Sequence, residues 1–120
     1  MGLPGAGALR SNMNDMLAYL RAHMLAGPDA AGTPRGLHAV RLAQRDSGMP
    51  GLAIGLAWHL QDVRGRPVVW HNGMTGGYAS FIGFTADGER GVVVLANVSV
   101  SVDDIGMNAL VPPAPAPASA

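Results

Sequence analysis

The chain has no cysteine and no lysine. The first absence removes disulfides, thiolate catalysis and cysteine-based metal sites, and leaves the redox compartment undecided. The second removes a lysine general base, a Schiff base and a phosphate-loop lysine together. All eight basic residues are arginine, scattered along a sequence of zero formal net charge, so there is no basic patch of the kind a nucleic-acid binder needs. No apolar run is long enough to cross a bilayer, and Met1-Gly2-Leu3-Pro4-Gly5 lacks the basic start and apolar centre of a secretory signal. These features predict no nucleic-acid partner, no membrane partner, and a cytoplasmic location for the chain as written.

What is present suffices for one small domain: 120 residues, 48% of them hydrophobic, can bury a modest core. Met13, Met16, Leu17, Leu20 and Met24 recur at helical spacing after Ser11, which reads as the N-cap of a helix from about Asn12 to Leu25. Asp15 in its first turns and Arg21 and His23 near its end suit the macrodipole, and Gly27-Pro28 stops it. A Gly, Pro, Ala and Asp loop follows to Pro34, and Leu37, Val40, Arg41 and Gln44 suggest a short second helix closed near Gly48. The pattern then turns to strands over Leu52 to Leu60, Val68 to His71, Gly77 to Thr85 and Gly91 to Val98, with turns at Asp62 to Arg66 and Ala86 to Glu89. Asp103 or Asp104 reads as the cap of a last helix ending at Leu110. Residues 1–111 are thus expected to form an α+β domain, an antiparallel sheet of about four strands with helices on one face. Residues 112–120 read as a disordered Pro-Ala tail.

The segment Trp70-His71-Asn72-Gly73-Met74-Thr75-Gly76-Gly77-Tyr78 ends one strand in a Gly-rich bend and begins another, which leaves backbone N–H groups free of ladder partners. Free donors beside a histidine can bind an anion or oxyanion, and an open strand edge can align an extended acyl chain by main-chain pairing. His71-Asn72-Gly73 followed by Gly76-Gly77-Tyr78 resembles the third motif of the penicillin-binding and class C β-lactamase-like serine hydrolases, in its His-x-Gly form. Gly5-Ala6-Gly7-Ala8-Leu9-Arg10-Ser11 with Asp15-Met16 is similar to the family's Gly-Gly-Leu-x-Ser-x-x-x-Asp-Met helix start. Gly55-Leu56-Ala57-Trp58 resembles its Gly-Leu-Gly-Trp strand, and Ser80, Phe81 and the strand Gly91 to Asn97 follow in family order.

The resemblance implies acyl transfer to a serine, then hydrolysis of a β-lactam, peptide or ester, with no cofactor and no metal. It places His71 beside the nucleophile, makes the Met74 N–H half of an oxyanion hole, and lines the substrate cleft with Asn72, Gly73, Gly76, Gly77 and Tyr78. The family's Ser-x-x-Lys does not occur in a chain without lysine, and neither Tyr19 nor Tyr78 begins a Tyr-x-Asn. The chain therefore reads as a C-terminal portion, catalytically incomplete alone, whose missing strands leave a sheet edge open. A complementary N-terminal fragment, or a second copy meeting that edge, is the expected partner, and a small acyl compound the expected substrate. A weak esterase or β-lactamase working from His71, and a binding module that uses the open edge, are the alternatives.

Plainer readings apply to the remaining candidates. Ser80 has no base within predictable reach and no elbow motif, and is read as structural. Ser11 is a cap and Asp15 a first-turn charge. The histidines at 23, 38, 59 and 71 show neither His-x-His nor His-x-x-x-His spacing, so no metal site is expected. Gly5-Ala6-Gly7 lacks the strand and acidic partner of a dinucleotide fingerprint, and the helix methionines are core filler.

Overall fold

The computed structural model describes residues 6–27, 35–42 and 45–115. The loop expected up to Pro34, Gln44 in the second helix, the Gly-rich start as far as Gly5 and the tail from residue 116 lie outside these residues. Helix α1 (Met13–Leu25) is capped by Asn12, whose side chain accepts from the Asp15 N–H at 2.9 Å. Ser11, the expected cap, lies one position too early and reaches only the Asn12 carbonyl. A single turn and a half, α2 (Arg35–Ala39), follows and stops well short of Gly48, where the second helix was expected to close; residues 45–49 are a strand instead.

The strands are β1 (Arg45–Met49), β2 (Leu52–Ile54), β3 (His59–Val63), β4 (Arg66–Thr75), β5 (Tyr78–Thr85) and β6 (Gly91–Ala96), before helix α3 (Asp103–Leu110). They form one six-stranded sheet in sequence order, antiparallel throughout. The meander is the expected one, with six strands where about four were read. Arg45-Asp46-Ser47-Gly48-Met49 has no apolar alternation and, among the described residues, pairs with β2 alone, so nothing in its pattern announced a strand.

The segment read as one strand from Leu52 to Leu60 is two, because the chain bends between Ile54 and His59. The Gly55 N–H bonds to the Trp58 carbonyl at 2.8 Å, and Ala57 adopts a left-handed φ of 65°. An alanine there costs about 1 kcal/mol relative to glycine. Ala57→Gly is therefore expected to raise stability by up to about 1 kcal/mol, read as a higher urea midpoint with an unchanged slope.

Successive residues on a strand face opposite sides, so the sheet carries two cores. Val68, Ala79 and Phe81 pack under α3 with Val102, Leu110 and Val111. Val69 and Phe84 pack under α1 with Leu20 and Trp58. The helices therefore cover both faces at β5 and β6, where one covered face was expected. Helix periodicity shows that a helix has an apolar side but not which face of a sheet receives it. Contact with α3 is close enough that a Cβ at Gly106 would run into the Phe81 ring. In α1, Leu20 is buried and Met16 half-buried, while Leu17, expected to be buried, is 46% exposed. The last helix is preceded by Val102, whose apolar side chain cannot cap it, and Asp103, read as a possible cap, already lies inside the first turn.

His23 is the polar residue inside the α1 core, 1% exposed, with the Leu37 backbone nearby but no well-formed hydrogen bond to either ring nitrogen among the described residues. Tyr19, Trp58 and Phe84 surround it at ring-centroid distances of 4.6, 5.0 and 6.4 Å. Burial above all lowers its pKa from the ordinary 6.5, the Arg41 charge adds to this, and the Leu37 backbone opposes it. Arg41 itself holds the end of α1, donating to the His23 and Ala26 carbonyls at 3.2 and 2.8 Å. Since the folded state binds the proton less readily than the unfolded chain, stability rises with pH across the window. It is full above about pH 6.5 and is lost as pH falls from there toward the lowered folded-state value. Urea titrations at stepped pH should show this loss, and His23→Phe should flatten most of it. His59, lowered in the same direction by burial, accounts for the remainder.

Candidate functional site

Strand β4 outruns its neighbour. The β3 pairing ends at His59 opposite Trp70, whereas pairing with β5 continues to Thr75 opposite Tyr78. Among the described residues, the backbone from His71 to Thr75 is consequently bonded on one side only. Both bounding hairpins have two-residue turns, Arg64-Gly65 and Gly76-Gly77. Such a turn is closed by a hydrogen-bonded pair, after which bonded and non-bonded pairs alternate. Counting from either turn gives the same result. His71, Gly73 and Thr75 bond to β5, and the backbone groups of Asn72 and Met74 face the side that β3 has vacated. The Met74 N–H thus points out of the ladder at a free edge.

The free edge is held from three directions. The Asn72 side chain donates to Asp103 Oδ2 at 2.8 Å, tying β4 to the first residue of α3. At the hairpin tip, Ser99 Oγ accepts from the Gly77 N–H at 2.7 Å and donates to the Thr75 carbonyl at 2.8 Å. In the ladder, a Cβ at Gly73 would come within 2.9 Å of Ser80 Oγ, so glycine at this position makes room for the serine across from it. Ser80 is half-buried, consistent with a packing role.

His71 is exposed, and its Nδ1 lies 2.6 Å from the Asn72 carbonyl oxygen. A carbonyl only accepts, so in the neutral ring Nδ1 carries the hydrogen and Nε2 the free lone pair. That carbonyl looks out of the ladder, and the bond draws the ring over the free edge. There it lies parallel to His59, with centroids 5.0 Å apart and planes 13° apart. His59 is half-buried, its Nδ1 buried without a partner among the described residues. Burial lowers its pKa, the His71 ring lowers it further, and Asp103 opposes both.

The edge therefore presents an outward N–H at Met74, a second at Asn72, an imidazole with a free Nε2, and space for an extended chain to pair. Gly76, Gly77 and Tyr78 are all exposed at the tip, Tyr78 at 64%. His59, Asp103 and Ser99 belong to this region and are not read as site residues from the sequence, where His59 is weighed only as a metal ligand and Asp103 only as a helix cap. His59 was within reach of it: a turn centred on Arg64-Gly65 pairs residue 59 with residue 70. Ser99 and Asp103 come from a loop and a helix start, whose approach to the hairpin no local pattern encodes. The Trp58-His59 end of β3 is also where α1's core begins. A shallow hollow of about 380 Å³ between His38, Arg41, Leu60 and Pro67 lies toward the opposite end of β3 and β4 and takes no part in this edge.

Comparison with known proteins bears on the same span. The family model described as Beta-lactamase matches residues 1–113. A curated relative, "Unguisins hydrolase ungD'" of Aspergillus campestris, is 31% identical over 107 residues, which is 85% of this chain and 20% of the relative. The chain spans a fifth of that relative's length. With the match running through every element from α1 to α3, the chain belongs to the Beta-lactamase family.

Proposed function

We propose that this chain supplies one wall of an acyl-transfer site: the free edge of β4 aligns an acyl substrate, the Met74 N–H holds the developing oxyanion, and His71 orients and polarises the reacting groups. The observation that supports it most is the outward Met74 N–H on a strand that outruns its neighbour, since a preorganised donor at a substrate edge is what acyl transfer requires. In the family's chemistry a base takes the serine proton as the serine oxygen attacks the carbonyl, negative charge builds on the carbonyl oxygen, the intermediate collapses to acyl-serine as the C–N or C–O bond breaks and its amine or alcohol side takes up the proton, and water then hydrolyses the acyl-serine. This sequence has no Ser-x-x-Lys and no Tyr-x-Asn, so the chain by itself is read as catalytically incomplete.

A complementary segment carrying those motifs would join at β6. Its inner side is bonded to β5, and among the described residues nothing pairs with its outer side. By the same alternation the outward backbone groups belong to Gly91, Val93 and Leu95, and Leu95 is 45% exposed. A free edge of this kind pairs readily with another strand. That surface also supports the second reading, an assembly module that uses the β6 edge.

The test is turnover of a chromogenic cephalosporin and a short-chain nitrophenyl ester. The isolated chain should match background. Joined to the upstream part of a family member bearing Ser-x-x-Lys and Tyr-x-Asn, it should turn over substrate, and both the nucleophile variant and His71→Ala should lose that activity. Turnover by the isolated chain that vanishes in His71→Ala would overturn the incomplete-wall reading and favour a stand-alone hydrolase.

A further inference from the structure

We propose that His59 is a positioning residue for His71, a flat plate that holds the imidazole with Nδ1 on the Asn72 carbonyl and Nε2 free at the substrate edge. The proposal rests on the acyl-transfer reading for its purpose, but its geometry and its test stand without turnover.

The His71 bond to Asn72 joins neighbouring residues on an exposed surface, where water competes for both partners. Such a bond does not hold a ring by itself. A neutral imidazole left to itself also favours the hydrogen on Nε2, the reverse of the arrangement seen. Something must restrict the ring, and the group in place to do so is His59, parallel to it at 5.0 Å.

His59 is in turn fixed from the core outward. Its backbone pairs with Trp70, and its ring meets the Trp70 ring edge-on at 4.6 Å and 66°. Trp70 donates from Nε1 to Gln61 Oε1 at 3.0 Å and stacks on Phe81 at 5.7 Å. Phe81 is 1% exposed under α3. A continuous series of ring contacts therefore runs from the buried core to the exposed histidine. A leucine at position 59 would fill the same space but would not offer a plane.

The test is the histidine ring spectrum of the full chain by long-range proton–nitrogen correlation, recorded at a pH where the rings are neutral. In the wild type, His71 should show one dominant tautomer with hydrogen on Nδ1. His59→Ala should make that form the minor one, and His59→Phe should restore it. Should His59→Ala fail to fold, His59→Leu replaces it, with the same loss expected. The proposal is overturned if His71 keeps its dominant tautomer in a folded Ala or Leu variant, or if Phe fails to restore it in a folded sheet. Failure of the acyl-transfer reading alone would leave these spectra as expected while abolishing only turnover in the joined protein.

Discussion

Phe84→Ala is expected to destabilise the fold by about 3–5 kcal/mol, a large part of the roughly 5–15 kcal/mol that holds a domain together. Phe84 is 0% exposed. It meets Trp58 edge-on at 5.6 Å, faces His23 at 6.4 Å, and carries the Arg41 guanidinium 5.5 Å above its ring. Truncation would leave a cavity between α1 and the sheet that neither side can close, because Val69 and Leu20 around it are held by β4 and by α1. It would also strand Arg41, whose bonds to the His23 and Ala26 carbonyls finish α1. Urea unfolding should show a collapsed midpoint or no folded baseline. A loss under about 1 kcal/mol would mean that the α1 core contributes little and that α3 holds the sheet alone.

The elements with strong periodicity were legible. Helix α1, the hairpin from Tyr78 to Ala96 and helix α3 are where the apolar spacing and turn residues put them. So was the order of family-like segments, which the Beta-lactamase match over residues 1–113 bears out. What the pattern could not show is tertiary. β1 has no alternation, and the break between β2 and β3 depends on a left-handed Ala57. That bend is intelligible afterwards, since the motif it resembles has glycine at this place, where positive φ costs nothing. The capping error has the same character. Ser11 and Asn12 are adjacent and both good caps, so composition does not separate them; Asn12 is the one whose side chain meets the Asp15 N–H. At the site, the motif located the edge, but not the Asp103 bond to Asn72 or the Ser99 clamp on the hairpin tip, because both arrive from the segment after β6.

Met74→Pro tests the central claim most directly, because it deletes one hydrogen-bond donor and no ladder bond. Proline is tolerated where the strand's N–H faces away from a neighbour and is excluded where it faces one. The alternation from Gly76-Gly77 gives Met74 the first condition and Gly73 the second. Met74→Pro should therefore keep stability within about 1 kcal/mol of the wild type, while Gly73→Pro loses about 3 kcal/mol or more. In the chain joined to a segment bearing Ser-x-x-Lys and Tyr-x-Asn, Met74→Pro should lower kcat by about 10²–10³, the effect of removing one oxyanion donor. Unfolding as severe as that of Gly73→Pro would place the Met74 N–H inside the ladder. Unchanged kcat in a folded Met74→Pro protein would show that this N–H does not hold the oxyanion, and the account of the site would be wrong.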